Sequence, residues 1–355
     1  MIKRKRKIRL LTQAMCLTFF IQNTIAQNME TYAERLGWKK NDRVVMFHVD
    51  DAGMSFESNE GARLALAKQV ATSVSVMMPC PWTSDFINYL NANPGVDAGL
   101  HLTHTSEWKN YRWASVSGIS ATPGLADQQG FLWDNVPDVL SHATADEIDI
   151  EIMAQIRKAR KMGFNPTHLD THMGTLWSSP DFLKKYVQTG IREHIPVLLP
   201  AGHLTWVEQC LAEGPLSGLK KLANPDATAA EVLDAIRNQG EKLWQAGLPV
   251  VDDIHILSYD WVFPSELKPT DVNLRNFKTE KFKTLLSSLK PGITVILIHC
   301  TEAGEHFKNI SDSGNTRRAD LLAMTNEKLK NFIKETGVIT TTWKELQQRR
   351  NQIKP

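Results

Sequence analysis

The chain has 355 residues, 41 Lys+Arg against 39 Asp+Glu, 42% apolar and 23% charged side chains. These are globular proportions, which exclude wholesale disorder, collagen and coiled coil. A net charge of +2 gives no reason to expect nucleic acid as a partner.

The charge is unevenly spread. Residues 1–26 hold Lys3, Arg4, Lys5, Arg6, Lys7 and Arg9 and no acid; without them 35 Lys+Arg stand against 39 Asp+Glu, a net of −4. An apolar stretch from Ile8 to Ile25 follows the basic cluster, and Thr24 and Ala26 are small at the −3 and −1 positions of a cut before Gln27. This pattern is that of a cleaved secretory signal, which places residues 27–355 outside the cytoplasm, secreted or periplasmic, as a single catalytic domain. An uncleaved anchor fits less well, because Gln13, Gln22, Asn23 and Thr24 shorten the apolar part. A lipoprotein cut at Cys16 is weaker still, since Met15 is large. No later stretch is long and apolar enough to span a membrane. Cleavage leaves Cys80, Cys210 and Cys300, an odd number with no CxxC pair, so neither a disulfide framework nor a thiolate zinc site is implied.

Strand-like and helix-like segments then alternate. Residues 44–49 are a buried-type strand ending at Asp50-Asp51-Ala52-Gly53, and 57–69 have helical spacing. Strands are expected at 72–78 and 96–103 with a helix at 86–93 between them. Residues 104–140 form an irregular excursion rich in Trp, Gly and Pro. A helix is expected at 146–162, capped by Thr144 and ended by Gly163. A strand at 166–170, a helix at 180–194 and a short strand at 196–199 follow. After a second excursion at 203–250 come a strand at 254–257, a helix at 279–289, a strand at 293–299 and a closing helix at 317–336. The alternation implies an α/β fold with a parallel sheet, open or closed as a barrel.

In such folds chemistry gathers at the C-terminal strand ends. Four of them carry acid/base or metal-type residues: Asp50 and Asp51; His101; His168, Asp170 and His172; and His299. One carboxylate and two imidazoles make a three-ligand metal set, a second carboxylate can take a proton from water, and a further His can protonate a leaving group. Asp50, Asp51, His101, His172 and His299 fill these roles. Each residue alone is as well explained by a turn or a strand end; the coincidence carries the reading. His168 and His172 are four apart, but Pro166 and Thr167 make that segment strand-like, so His168 reads as structural. Asp170 is read as orienting a ligand or sitting at a turn.

Three stretches resemble the YdjC-like carbohydrate deacetylases, a group that includes chitooligosaccharide deacetylase. They are Val49-Asp50-Asp51-Ala52-Gly53, Gly99-Leu100-His101-Leu102-Thr103, and Pro166-Thr167-His168-Leu169-Asp170-Thr171-His172. Their order and spacing match from about residue 43 to 340. The resemblance implies an irregular (β/α) barrel of the polysaccharide deacetylase-like kind, and divalent-metal-dependent removal of an acetyl group from an N-acetylated sugar or oligosaccharide. By position Asp51, His101 and His172 resemble the metal ligands, Asp50 the general base and His299 the general acid. The resemblance further implies that water activated at the metal attacks the amide carbonyl. The ligand set suits Zn²⁺, or Mg²⁺ with an oxygen-rich surround.

The chain departs from the pattern at His104, at Met173-Gly174-Thr175-Leu176 and at Cys300-Thr301-Glu302-Ala303-Gly304. All three flank the expected pocket and bear on the substrate. Arg317 and Arg318 read either as binding an anionic part of a substrate or as a solvated helix start. Trp108, Trp113, Trp133 and Trp177 read as sugar-stacking faces or as loop packing. Rival readings are another metal-dependent amide or ester hydrolase on the same barrel, and a non-catalytic carbohydrate-binding homologue. The sugar, the metal and the oligomeric state stay open at this stage.

Overall fold

The structure, a computed structural model, describes residues 30–214, 216 and 226–353. The stretch read as a secretory signal, Cys16 included, lies outside the described residues.

The strands are β1 (Arg43–Ala52), β2 (Ser73–Val76), β3 (Ala98–Leu102), β4 (Leu169–Thr171), β5 (Asp253–His255), β6 (Gly292–Ile298) and β7 (Ile339–Thr340). They pair in the order β4-β3-β2-β1-β6-β5, with β7 beside the start of β1, and every pairing is parallel. Strands buried on both faces read as continuous apolar runs. That is why β1 and β6, buried almost throughout, stand out in the sequence.

The helices are α1 (Tyr32–Arg35), α2 (Phe56–Ala67), α3 (Thr83–Ala92), α4 (Val136–His142), α5 (Ala145–Lys161), α6 (Pro180–Glu193), α7 (Thr205–Glu213), α8 (Ala229–Gln245), α9 (Asp271–Ser288), α10 (Gly314–Met324), α11 (Glu327–Glu335) and α12 (Trp343–Asn351). Thr144 caps α5 as expected, in a reciprocal box with Glu147 that satisfies two orphan donors.

The expected parallel α/β barrel is present, and its closure is irregular. The segment expected as a strand at 196–199 forms only isolated bridges, Leu169↔Val197 on one side and Pro200↔Val251 on the other. Those bridges join the β4 edge to the chain entering β5 and bring the two sheet edges together. Pro196 and Pro200 flank the segment, and proline has no N–H to give a ladder. The strand expected at 166–170 starts later, at Leu169.

The single closing helix at 317–336 is two helices, α10 and α11. Asn326 breaks the run: its side chain caps α11 by accepting the Lys328 N–H and donates to Thr279 Oγ1 at 2.9 Å. The helix expected at 279–289 is the second half of α9. Buried acids tie the outer pieces to the barrel. Asp252 accepts the N–H groups of Tyr32, Ala33 and Ile293, Asp97 those of Trp343 and Lys344, and Glu151 those of Val116 and Ser117. Cys80, Cys210 and Cys300 are buried and unpaired, and no described helix is long and apolar enough to cross a membrane.

His255 ends β5 on the outer side of the barrel, between Trp206 and Trp261 with ring centroids at 4.9 and 5.6 Å. Burial pushes its pKa down to about 4. The unfolded chain takes up that proton near pH 6.5, as free histidine does, so between about 6.5 and 4 the unfolded state binds more protons and stability falls as pH drops. Between pH 7 and 5 this group alone accounts for about 2 kcal/mol of the loss. Denaturant unfolding at both pH values is expected to show a smaller loss in His255→Phe than in the native chain; an equal loss contradicts the assignment.

Candidate metal centre

In a regular strand Asp50 and Asp51 would face opposite sides of the sheet. Here β1 pairs β2 through His48↔Ser73 and Val49↔Val74, then slips register before Ala52↔Val76. Asp51 sits in that bulge with φ of +65°, the left-handed region that is strained for a residue with a side chain. The result is that both aspartates reach the same buried pocket at the barrel mouth.

β3 brings His101 in beside β4, where His101 and Asp170 are register partners. Asp170 Oδ1 lies 2.7 Å from His101 Nδ1, and its Oδ2 reaches His48 Nε2 across the barrel interior, also at 2.7 Å. Past the end of β4 the chain turns sharply at His172, with Met173 and Gly174 both at positive φ. His172 Nε2 is 2.8 Å from Glu107 Oε1.

These partners fix the tautomers. A neutral His101 donating from Nδ1 to Asp170 keeps its lone pair on Nε2; a neutral His172 donating from Nε2 to Glu107 keeps its lone pair on Nδ1. The two lone-pair nitrogens are 3.1 Å apart, and Asp51 Oδ1 is 3.3 Å from the first and 3.4 Å from the second. Asp51 Oδ1 is buried and accepts no hydrogen bond among the described residues. Three acceptors with no shared donor converge on one point. Tetrahedral zinc ligands at about 2.0–2.1 Å from the ion stand about 3.3 Å from one another, so the donor set fits a divalent cation.

The electrostatics agree. Burial favours a neutral Asp51, but the Arg317 guanidinium, with His101 and His172, holds its carboxyl well below the usual range. Burial also opposes charge on the two imidazoles. The Asp170 and Asp50 carboxylates nevertheless raise His101 well above its ordinary pKa, and Glu107 and Asp51 raise His172 to about 9. A cation held by these nitrogens would have to displace a proton, so its affinity would weaken as pH falls.

Asp50 and His299 stand beside this point. Asp50 Oδ2 is 3.9 Å from His299 Nε2, and its Oδ1 has no hydrogen-bond partner among the described residues. Burial, reinforced by Asp170 and opposed by His101, pushes the Asp50 carboxyl up to about 7. His299 Nε2 is also 4.0 Å from Asp51 Oδ2, and burial followed by the charge of Arg317 holds its imidazole well below the ordinary pKa. All five residues singled out from the sequence thus meet in one pocket. His168 does not: its ring is buried and stacked on Trp343, with centroids 5.2 Å apart.

Two site residues escape the sequence. Glu107 lies in the irregular 104–140 excursion, where no periodicity marks it. Arg317, read as binding an anionic part of a substrate or as a solvated helix start, is buried, and its Nη1 donates to the protein's own Asp51 Oδ2 at 2.7 Å. That bond occupies one carboxylate oxygen and leaves the other without a hydrogen bond among the described residues. Arg318 is the surface residue of the pair, bonded to Asp271 and Glu302. Of the four tryptophans, Trp108 stands 6.3 Å from the His172 ring and 5.8 Å from the Arg317 guanidinium, and Trp113 packs behind it. Trp133 stacks on His142 instead, and Trp177 lines a separate apolar cavity of about 280 Å³ at the barrel seam. His104 is fully buried and kept neutral by that burial, its pKa pushed down to about 3.

The chain belongs to the YdjC-like protein family, whose model matches residues 44–335. It is 34% identical over 167 residues to a carbohydrate deacetylase of Thermus thermophilus, covering 47% of this chain and 57% of that protein. It is 22% identical over 301 residues to a carbohydrate deacetylase of Thermoanaerobacter pseudethanolicus, covering 85% of this chain and 98% of that protein. Among solved structures it resembles a protein of Enterococcus faecalis described as a cellobiose-phosphate cleavage protein. That likeness has a TM-score of 0.62 at 16% identity, over 86% of this chain and 99% of the other, and shows the shared fold.

Proposed function

We propose that this YdjC-like protein is a divalent-metal-dependent deacetylase that hydrolyses the acetamide of an N-acetylated sugar or oligosaccharide. The observation that carries the reading is the convergence of Asp51 Oδ1, His101 Nε2 and His172 Nδ1 on one buried point, with Asp50 and His299 beside it. The names of the two deacetylase relatives support the substrate class. Two imidazoles and one carboxylate favour Zn²⁺ over Mg²⁺. The charge pattern of residues 1–26 supports an activity outside the cytoplasm.

Asp51, His101 and His172 would hold a divalent cation, which would polarise a carbonyl and make water more acidic. The chain's own groups do the rest. Asp50, whose buried Oδ1 accepts no hydrogen bond among the described residues, takes a proton as water adds to the acetyl carbon. His299, kept neutral by burial and Arg317, stands 3.9 Å from Asp50 and passes that proton to the departing nitrogen. A proton placed on so depressed an imidazole is given up readily. The C–N bond breaks, and acetate and the free sugar amine leave. Asp170 and Glu107 hold the two ligand rings in their tautomers. Trp108 on the His172 side and Tyr259 on the His299 side offer faces for a sugar ring; Tyr259 lies 4.8 Å from the His299 ring.

The test is acetate release by metal-loaded protein from N-acetylglucosamine, its short oligomers and an aryl acetate ester. Release from at least one acetylated sugar is expected. Release from the ester alone favours a different metal hydrolase, and sugar binding without release favours a non-catalytic binder; either overturns the proposal.

A further inference from the structure

We infer that the buried ion pair between Lys278 and Asp320 is a positioning device for His299, acting through its backbone; this rests on the proton-passing role proposed for His299. His299 lies just beyond the last residue of β6, where the sheet ladder no longer serves its N–H. Asp320 Oδ2 accepts that N–H at 3.0 Å, and Asp320 Oδ1 lies 2.8 Å from Lys278 Nζ. Lys278 also donates to the Ser258 carbonyl and lies 5.3 Å over the Trp261 ring. Ser258 Oγ in turn donates to the Leu297 carbonyl at 2.6 Å. The network therefore grips β6 on both sides of its last residue.

The imidazole itself has no such support. His299 Nδ1 is buried and has no hydrogen-bond partner among the described residues, so no carboxylate aims the ring from behind. Its place follows from its backbone and from the edge contact with Tyr259. Lys278 and Asp320 are fully buried and touch none of the three metal-type ligands. A buried ion pair is poor value as a source of stability, since well-packed apolar residues often do as well. What apolar residues do not supply is an acceptor for the His299 N–H.

One helix unites the two halves of the site. Arg317 and Asp320 are three residues apart on α10 and share a face. The first holds Asp51 by its side chain and accepts the Thr301 N–H by its carbonyl; the second holds His299. On the opposite flank Gly61 of α2 permits the close approach of the loop after His299, because a Cβ there would stand 2.4 Å from the Cys300 carbonyl oxygen.

Two double variants separate charge from positioning. Lys278→Met with Asp320→Asn removes both charges and keeps a carbonyl acceptor for His299. Lys278→Met with Asp320→Leu removes both charges and the acceptor. The first is expected to keep kcat within about fivefold of native, while the second loses about 30- to 100-fold in kcat, less than the about 10²- to 10⁴-fold that a positioned acid or base contributes as a whole. KM and metal affinity are expected to stay within about threefold in both, because the metal ligands are untouched. Equal kcat in the two variants, or a loss that appears in KM or metal affinity, overturns the inference. If the Leu variant does not fold, amide exchange in the native protein decides. The His299 amide is expected to be protected, and exchange at an open-loop rate overturns the anchor. A His299→Ala variant with native kcat overturns the underlying role instead, and is told apart because the amide stays protected.

Discussion

Asp51→Asn is expected to lose bound metal and acetate release together, and His172→Ala the same. The aspartate is the only anionic member of the proposed ligand set, and its Oδ1 faces two imidazole nitrogens 3.3 and 3.4 Å away. Removing a ligand atom should cost more than removing a partner that orients one, which typically weakens affinity about 10- to 100-fold. Asp170→Asn is therefore the internal scale: a fall of that size there, and a larger one in Asp51→Asn and His172→Ala. The check is metal stoichiometry by mass spectrometry after dialysis against a graded chelator, with acetate release on the same samples. Full metal retention in both ligand variants would remove these residues from the metal site.

Asp50→Asn is expected to behave in the opposite way. Asp50 is proposed as the proton acceptor, not as a ligand, so the variant should bind metal as the native protein does. It should lose about 10²- to 10⁴-fold in kcat, because an amide of the same shape cannot take the proton. KM should change little. Steady-state kinetics beside metal content decides the matter. Native kcat would remove Asp50 from the reaction, and loss of metal would make it a ligand.

The two aspartates are adjacent in the chain and differ in environment. Burial, only partly opposed by His101, raises Asp50 to about 7, whereas Arg317 holds Asp51 well below the carboxylate range. Paired groups pushed apart in this way mark a division between accepting a proton and holding a charge. The pocket uses one strand bulge and one buried arginine to make that division.

The parts of the fold that could be read from the sequence are those set by local pattern. The apolar runs of β1 and β6 announced buried parallel strands, and the polar residues just past their ends, Asp50 and His299, stood out against them. His172 could be separated from His168 because Pro166 made the intervening segment extended. What could not be read depended on contacts remote in sequence or on a single backbone angle. Strict alternation would turn Asp50 and Asp51 apart, and only the bulge at Asp51 brings both inward. Arg317 lies 266 residues from the carboxylate it holds, so nothing nearby distinguishes it from a solvated helix residue. Glu107 sits in a stretch without periodicity, and its role rests on the turn that follows β4. The break between α10 and α11 did leave a cue, Asn326 before Glu327 and Lys328, but the apolar spacing runs on through it.

Lys278 and Asp320 show the same limit from another side. A buried lysine on α9 looks like any lysine of a surface helix until the fold packs it behind β6.

The most direct test of the metal centre is acetate release by one preparation before and after metal is stripped and returned. The expected result is no release from the stripped protein and recovery on adding about one equivalent of Zn²⁺ per chain, as one three-ligand site with an open position requires. Undiminished release from protein shown to be free of metal would contradict it.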